Sequence, residues 1–343
     1  MARTPASSGV EYQLVFTRTH PFPSTTGVPG QPGCDLGRGS DFHRGARLRS
    51  FEELMNEPLD SAFKDSKYLT SGIAGVTMPP LEQYFREAGS GTAVVCIHSS
   101  ASTSGQWRAL MERLADRFRV IAVDLYGSGK TAPWPQDQPM RLDDELALLS
   151  SVFRAAGDRF HLIGHSYGGA IALKAALADR KRVLSLVLYE PVLFSAVIAD
   201  SPESAAAREI LALRDDTLRL LDQGNLNLAA QRFVDYWMGD GTWVATPEPR
   251  RPALAEAMRA VKSQWHALLY EPTPLSAFAA VNVPTLFLTG TESKASALAV
   301  ARLVTAVLPR VRREELEGVG HMGPVTHPGT VNPLIKRFLE ETH

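Results

Sequence analysis

Cysteine is scarce in this sequence, a charge excess is missing, and no long apolar run is present. Only two cysteines occur among 343 residues, Cys34 and Cys96, which excludes a disulfide framework and leads us to expect a cytoplasmic protein. The 36 basic and 37 acidic side chains nearly cancel, so no overall field would draw the chain to nucleic acid or to an anionic membrane. No run approaches the roughly 20 apolar residues that span a bilayer. The expected partner is therefore a small-molecule substrate held in a pocket.

Apolar residues make up 44% of the chain, and from about residue 75 onward they follow a regular order. Short β-branched runs alternate with amphipathic helical patterns, which is typical of an α/β protein with a mostly parallel sheet flanked by helices. The predicted strands are AVVCI (93–97), RVIAVD (119–124), FHLIG (160–164), LSLVLY (184–189), TLFLT (285–289) and RREEL (312–316).

Two parts of the chain depart from this alternation. Residues 1–70 are rich in Pro, Gly, Ser and Arg, and we predict a poorly defined N-terminal extension there. Residues 195–281 carry helical patterns without a convincing strand, which predicts an inserted helical cap over one edge of the sheet. The α/β core is then expected to comprise residues 71–194 and 282–343.

A candidate catalytic motif follows the third predicted strand. Residues 164–168 read GHSYG, which matches G-x-S-x-G directly after a strand and directly before a helix. A serine on this sharp turn adopts a strained backbone conformation, and its hydroxyl projects from the carboxyl edge of the sheet. Ser166 is therefore predicted to be a nucleophile. The alternative is an N-cap serine beside glycines that let the helix and the strand pack closely.

A serine hydroxyl needs a base that removes its proton. His321 follows the last predicted strand and precedes the last predicted helix, which places it at the same carboxyl edge of the sheet as Ser166. Glycines surround it in LEGVGHMGP, and the serine precedes the histidine in the chain. Of the nine histidines, His321 is the best placed to act as the general base.

The region from about residue 76 to the end resembles an α/β-hydrolase-fold serine hydrolase with a helical cap, similar to esterases, lactonases and C–C hydrolases. The resemblance rests on the sequence HSS at 98–100 with Trp107 nine residues after the histidine, DLYGSG at 124–129, GHSYGG at 164–169 and GVGHM at 318–322. These motifs are specific to the fold and much less specific to a substrate.

The resemblance implies an oxyanion hole made of backbone N–H groups. The family uses the residue after the nucleophile, here Tyr167, and a residue of the loop after the first of these strands, here Ser100. Family members usually carry His-Gly-x in this loop, where the present chain has His98 and Ser99 before Ser100. We expect His98, Ser99 and the cap residue Trp237 to bind substrate.

The acid that would orient His321 has two candidates. Most family members carry an Asp on the loop after the strand represented here by TLFLT, but this sequence has Ser293 at that position and Glu292 one residue earlier. Some cap-bearing members carry the acid after the strand that follows the nucleophile helix, where this sequence has Glu190, followed by Pro191. The sequence favours Glu190 and leaves Glu292 open as the alternative.

The predicted activity is hydrolysis of a carboxylic ester or lactone of medium size and partly apolar character, through an acyl-enzyme at Ser166. A serine at this position argues against the dehalogenases and epoxide hydrolases of the same fold, which form an aspartyl ester. A C–C bond hydrolase, an acyltransferase and a non-catalytic ligand-binding protein are the alternatives. This chemistry implies no cofactor. We also expect no metal site, since His161, His165, His321 and His327 lack a Cys or carboxylate partner at ligand spacing.

Overall fold

The structure is a computed structural model that describes residues 64–70 and 81–343. Its strands are β1 Lys64–Thr70, β2 Leu81–Ala88, β3 Ala93–Ile97, β4 Arg119–Val123, β5 Phe160–His165, β6 Val183–Tyr189, β7 Thr285–Gly290 and β8 Val311–Leu316. They form one sheet of eight strands in the order β1-β2-β4-β3-β5-β6-β7-β8.

The sheet is mostly parallel, as predicted. Strand β2 runs antiparallel to both of its neighbours, β1 and β4. Every pairing from β4 across to β8 is parallel. The predicted strands appear as β3 to β8, and each end lies within one residue of its expected position. The predicted fold class is therefore confirmed.

The sequence did not predict β1 or β2. Strand β2 reads LEQYFREA, and charged side chains such as Arg86 and Glu87, which are half-buried, hide the apolar alternation of a strand. Strand β1 lies within the segment expected to be an N-terminal extension, and it pairs with β2 along its whole length. The sheet therefore begins before residue 71.

The α-helices outside and inside the predicted cap are α1 Arg108–Leu114, α2 Leu142–Ala155, α3 Tyr167–Ala178, α4 Phe194–Asp200, α5 Ala205–Asp222, α6 Leu226–Met238, α7 Thr242–Ala245, α8 Arg251–Leu269, α9 Ala295–Val307, α10 Gly323–Thr326 and α11 Pro328–Glu341. Short 3₁₀ helices occupy Ser104–Trp107, Glu248–Arg250 and Leu275–Ala280. None of the helices in the described ranges combines the length and the hydropathy that a membrane span requires.

The sheet separates two hydrophobic cores, because successive side chains of a strand point to opposite faces. On β3, Val94 and Cys96 pack in a core with residues of α1 and α11. Val95 and Ile97 pack in the other core, with residues of α3 and the cap. Every residue of β3 is buried, as expected for a strand that helices cover on both faces.

Helices α4 to α8 fill the chain between β6 and β7, and residues 195–281 contain no strand. Their apolar faces belong to the same hydrophobic cluster as α3. A buried ion pair also joins the two parts: Lys174 Nζ on α3 lies 2.6 Å from Oε1 of Glu271, just after α8. The Glu271 side chain has no exposed surface. The cap is thus fixed against the helix that follows the GHSYG turn.

The order of the strands reverses at β3, which lies between β4 and β5. Because the strands are parallel, the loop after β3 and the turn after β5 leave the same edge of the sheet. In open α/β sheets, ligands bind in the crevice that such a reversal creates outside the carboxyl ends of the strands. This crevice lies where the sequence places Ser100 and Ser166.

Candidate active site

Ser166 lies on a sharp turn between β5 and α3. Its backbone has φ 55° and ψ −117°, which is a strained conformation for a residue with a side chain. The Ser166 N–H donates to the Tyr189 carbonyl at 3.0 Å, and the Ser166 carbonyl accepts the N–H groups of Gly169 and Val192 at 2.9 and 3.3 Å. Hydrogen bonds from both sides therefore hold the turn in its strained form.

Two glycines of the motif let the turn pack against its neighbours. A Cβ atom on Gly168 would overlap the carbonyl oxygens of Ile97 and His98, at the end of β3. A Cβ atom on Gly164 would overlap the carbonyl oxygen of Gly168. A side chain at Gly168 would push the turn away from the end of β3, and one at Gly164 would push α3 away from β5, so both positions require glycine.

Ser166, His321 and Glu190 form one hydrogen-bonded chain. The Ser166 hydroxyl donates to Nε2 of His321 at 2.9 Å, and Nδ1–H of His321 donates to Oε2 of Glu190 at 2.7 Å. A carboxylate only accepts, so Nδ1 carries the proton and Nε2 is left to accept. The three residues are 5%, 2% and 0% exposed, respectively. In this arrangement the serine proton can move to His321 while the carboxylate balances the imidazolium charge.

Glu190 directly follows β6, and its carboxylate is held by the loop after β7. Its Oε1 accepts the Gly290 N–H at 2.8 Å and also accepts the Ser293 hydroxyl. Ser293 stands where the resemblance places an Asp, so this serine supports a carboxylate that comes from the neighbouring strand. The alternative acid, Glu292, is exposed. The structure therefore brings Glu190, and not Glu292, to His321.

Backbone strain is concentrated at this edge of the sheet. Within the described residues, the non-glycine residues with positive φ are Ala101, Ser166 and Glu190, at 53°, 55° and 42°. Ala101 directly follows Ser100. Each such conformation costs on the order of 1–3 kcal/mol and persists only where the surroundings fix it. These three strained residues lie close to the hydrogen-bonded chain that includes His321, which marks this edge of the sheet as a candidate functional site.

Two backbone N–H groups beside Ser166 are available to an oxyanion. The N–H groups of Tyr167 and Ser100 donate to no acceptor in the described part of the chain. Tyr167 is the first residue of α3, where N–H groups are unpaired and the helix dipole favours negative charge. Ser100 and Ser166 line the same small cavity. These donors can therefore stabilise negative charge on a carbonyl oxygen that Ser166 has attacked.

A buried carboxyl that the sequence analysis did not identify holds the Tyr167 side chain. Tyr167 Oη donates to Oε1 of Glu145 on α2 at 3.3 Å, and both residues are fully buried. Burial raises the pKa of Glu145 to about 8, although the Tyr126 N–H and the Tyr167 hydroxyl oppose this shift. Glu145 is therefore a neutral carboxylic acid at pH 7. Its only signal in the sequence is an acidic residue on the apolar face of a helix.

His98 and Ser99 hold the loop after β3 and do not line the cavity. Nδ1–H of His98 donates to the Ser99 carbonyl at 2.7 Å, and Nε2 of His98 accepts the Leu125 N–H at 3.2 Å. Burial lowers the pKa of His98, which agrees with this neutral ring. The Ser99 N–H and hydroxyl donate to Oε1 of Gln106 at 3.1 and 3.0 Å. These hydrogen bonds use the polar groups of His98 and Ser99 to hold the loop that carries Ser100, and the substrate-binding role of the two residues stays a prediction.

The loop that carries His321 has two further supports that sequence reasoning missed. Nε2–H of His165 donates to the His321 carbonyl at 2.8 Å, and Tyr189 Oη donates to the Gly320 carbonyl at 2.8 Å. Burial lowers the pKa of His165 well below its ordinary value, so its ring is neutral. His165 precedes Ser166 and Tyr189 precedes Glu190. The residue before Ser166 and the residue before Glu190 thus both help to hold the loop that carries His321.

Trp237, on the cap helix α6, covers the His321 ring. The two ring centroids are 4.1 Å apart and the planes are inclined by 28°. The cavity above Ser166 has a volume of about 20 Å³, which is enough for roughly one water molecule. Residues that line it include Ser100, Ser166, Val192, Phe194, Trp237 and Trp265. Trp237 is therefore the one of the three predicted substrate-binding residues that lines this cavity.

Other reactive groups are not brought to this site. Cys96 lies on β3 without exposed surface, and burial raises the pKa of its thiol. Cys34 lies outside the described residues. Within residues 64–70 and 81–343, no three His, Cys, Asp or Glu side chains converge as the ligands of a metal ion would.

Comparison with known proteins extends these observations. A family model described as "Alpha/beta hydrolase family" matches residues 94–334. The chain is 25% identical over 292 residues to a 2-hydroxy-6-oxo-6-(2'-aminophenyl)hexa-2,4-dienoic acid hydrolase of Metapseudomonas resinovorans, which covers 80% of this chain and 91% of that protein. It is 22% identical over 272 residues to a pimeloyl-[acyl-carrier protein] methyl ester esterase of Aliivibrio salmonicida, with 75% and 95% covered. The structure of a thermophilic esterase from Thermogutta terrifontis has a TM-score of 0.62 and 24% identity, with 82% and 99% covered.

Proposed function

The chain belongs to the alpha/beta hydrolase family, and on that premise we propose that it cleaves a carboxylic ester or lactone through an acyl-enzyme at Ser166. The observation that carries this proposal is the hydrogen-bonded chain from Ser166 through His321 to Glu190. This is the arrangement that activates a serine hydroxyl in hydrolases. The substrate is a small molecule of medium size and partly apolar character. Apolar side chains such as Val192 and Phe194 around the nucleophile support this class.

Acylation uses each of the assembled groups. Ser166 Oγ attacks the carbonyl carbon, and its proton moves to Nε2 of His321. The electron pair of the carbonyl bond moves to the oxygen, which accepts the N–H groups of Tyr167 and Ser100. The intermediate then breaks its bond to the leaving oxygen, which takes the proton from His321. Glu190 keeps Nδ1–H of His321 in place throughout and balances the positive charge of the ring.

Deacylation repeats these steps with water as the nucleophile. Nε2 of His321 takes a proton from the water, whose oxygen attacks the acyl carbon. The same two N–H groups stabilise the second oxyanion. When the intermediate collapses, the proton returns to Ser166 Oγ and the carboxylic acid leaves. The water takes the place that the alcohol has left, within reach of Nε2 of His321.

Cleavage of a carbon–carbon bond is the second candidate. The Metapseudomonas resinovorans relative, which is named a dienoic acid hydrolase, matches 80% of this chain. In such a reaction Ser166 would attack a ketone carbonyl, the bond to the neighbouring carbon would break, and that carbon would take the proton. His321 and the same N–H donors would serve this reaction as well. The two candidates differ in the atom that receives the proton.

A substrate panel tests the proposal. Wild type and Ser166→Ala are assayed with p-nitrophenyl esters of increasing acyl length and with a 2-hydroxy-6-oxo-hexa-2,4-dienoic acid. We expect ester hydrolysis by the wild type alone and a Ser166-bound acyl group in the intact mass. Cleavage of the dienoic acid at a kcat/KM more than about a hundredfold above that of any ester would favour the second candidate. Ester hydrolysis that survives in Ser166→Ala would overturn both.

A further inference from the structure

A second and larger cavity adjoins the one above Ser166. It has a volume of about 350 Å³, and Ser100 lines both cavities. Cavities of this size hold small molecules, whereas the space above Ser166 holds roughly one water. Most of a substrate must therefore lie in the larger cavity while its carbonyl group is at Ser166.

The larger cavity reaches the segment that follows His321. One wall contains Met322, the residue that follows His321, and another contains Met238, the residue that follows Trp237. The smaller cavity contains Val192 and Phe194, which follow Glu190 by two and four residues. The larger cavity thus borders the loop that carries His321, whereas the smaller cavity borders the segment that follows Glu190.

This arrangement assigns the two halves of an ester. His321 must deliver its proton to the leaving oxygen, so the leaving group lies on the side of His321. The acyl group lies on the other side, in the space of about 20 Å³ that apolar side chains surround. A small apolar acyl group and a larger leaving group fit these two volumes.

The wall of the larger cavity contains both apolar and polar residues. Val234, Leu254 and Pro324 are among its apolar residues, and Ser102, Thr103 and Arg108 are among its polar residues. The Arg108 side chain is half-buried and has no hydrogen bond or ion pair within the described residues. A guanidinium presents paired donors that match a carboxylate, and a partly desolvated one without a partner favours such a ligand.

We propose that the larger cavity binds the leaving group of the substrate, and that this leaving group is a medium-sized alcohol or phenol with an apolar body and a carboxylate that pairs with Arg108. The acyl group of the same substrate is short. This inference rests on the proposed ester hydrolysis, since it assigns the two sides of that reaction to the two cavities.

Matched esters test the charge preference. Phenyl acetate and 4-carboxyphenyl acetate differ by one carboxylate on the leaving group, and the ratio of their kcat/KM values is compared between wild type, Arg108→Gln and Arg113→Gln. Arg113 lies on the same helix α1, is exposed and does not line the cavity. We expect Arg108→Gln to lower the ratio at least about tenfold, as for a lost charged hydrogen bond, and Arg113→Gln to change it less than about twofold. A ratio that Arg108→Gln leaves unchanged would overturn the role of Arg108.

Size provides a second test that does not depend on the folding of Arg108→Gln. Leu254→Trp reduces the volume of the larger cavity from the cap side, and it should slow hydrolysis of 2-naphthyl acetate much more than hydrolysis of methyl acetate. With wild type, lengthening the acyl group from acetate to octanoate on a constant phenol should lower kcat/KM. Faster hydrolysis of the octanoate, with no effect of Leu254→Trp, would reverse the assignment of the two cavities.

Binding separates this inference from the proposed function. Calorimetry with Ser166→Ala should find 4-hydroxybenzoate bound at least about tenfold more tightly than phenol, and Ser166→Ala/Arg108→Gln should lose the difference. If this holds but no ester is hydrolysed by the wild type, the cavity assignment stands and the proposed reaction fails. If esters are hydrolysed through Ser166 without any preference for the carboxylate in either assay, the reaction stands and the cavity assignment fails.

Discussion

The Ser293 hydroxyl donates a hydrogen bond to Oε1 of Glu190, while the other oxygen of that carboxylate accepts the His321 Nδ1–H. Strands β6 and β7 are parallel neighbours, so the residues that follow them meet at the same edge of the sheet. The loop after β7 therefore supplies a donor to the carboxylate and not the carboxylate itself. This division of roles makes the identity of the acid testable.

Glu190→Gln should lower kcat on phenyl acetate about 10²- to 10⁴-fold. A Gln side chain cannot balance the imidazolium charge, and its amide can hold His321 in the wrong tautomer. Glu292→Gln is the matched control, and it should cost less than about tenfold because Glu292 is exposed. Circular dichroism checks that both variants fold. A larger loss in Glu292→Gln than in Glu190→Gln would move the acid to the loop after β7.

Ser166→Ala should lower esterase kcat at least about a thousandfold without changing the fold. The substitution removes the attacking oxygen, and Ala on this turn keeps the surrounding backbone hydrogen bonds. Steady-state kinetics and thermal melting measure the two effects. A variant that melts like the wild type and retains more than about a thousandth of its activity would contradict a nucleophilic Ser166, once contaminating esterases are excluded.

Trp237→Leu should lower kcat and widen the range of acyl groups that are hydrolysed. The indole packs on His321 and bounds the small cavity. Its loss therefore lets the His321 ring leave its position and enlarges the small cavity. Trp237→Phe keeps an aromatic face on the imidazole and should stay within about threefold of wild type, against a loss of about tenfold or more in Trp237→Leu. The measurement is kcat and KM on phenyl acetate, butyrate and octanoate. Equal effects of both substitutions would mean that the stacked ring does not matter.

Glu145→Gln should change how stability depends on pH. The pKa of Glu145 is about 8 in the folded chain against an ordinary value of 4.5. Between these pH values the unfolded chain has released a proton that the folded chain keeps, so the free energy of unfolding falls as pH rises from about 4.5 to about 8. Gln cannot ionise and removes this loss. One pKa unit corresponds to about 1.4 kcal/mol. As pH rises from 5 to 8.5, the unfolding free energy of Glu145→Gln should therefore increase relative to that of wild type by on the order of a few kcal/mol.

Urea unfolding of both proteins at pH 5 and at pH 8.5 measures this difference. Glu87→Gln is a suitable control, because Glu87 is only half-buried and pairs with Arg119 near the surface. The same difference in unfolding free energy between Glu145→Gln and wild type at both pH values would mean that Glu145 does not hold its proton in the folded chain.

Lys174→Met should destabilise the protein by about 3 kcal/mol or more. It would leave the Glu271 carboxylate buried without its cation, which is a strongly unfavourable state for a charge. Asp143 is the other partner of Lys174, and the Asp143 side chain is 52% exposed. Asp143→Asn should therefore cost less than about 1 kcal/mol. Urea unfolding measures both. The double variant Lys174→Met/Glu271→Gln should recover part of the loss; no recovery would mean that packing of the Lys174 stem, and not the ion pair, fixes the end of the cap.

The sequence by itself determined the strands, helices and turns that depend on residues close together in the chain. Apolar runs such as AVVCI predicted β3 to β7, and the G-x-S-x-G pattern around Ser166 predicted a sharp turn between a strand and a helix. Chain order and glycines predicted His321 on a loop at the same edge, and the structure places it 2.9 Å from the Ser166 hydroxyl. The segments KDSKYLT and LEQYFREA contain no apolar run and were missed as β1 and β2, whereas RREEL, which is also charged, was predicted as β8.

Only the tertiary structure decided which groups meet. Glu190 and Glu292 both follow strands that end at the catalytic edge, and 131 positions separate Glu190 from His321. The choice between them depends on the orientation of each side chain after its strand, which the pairing of β6 with β7 and the Ser293 hydrogen bond set. The turn of His98 into the core and the seating of Trp237 on His321 likewise result from packing between distant segments. Local patterns fix elements and turns, whereas the convergence of side chains is fixed by long-range contacts that no local pattern encodes.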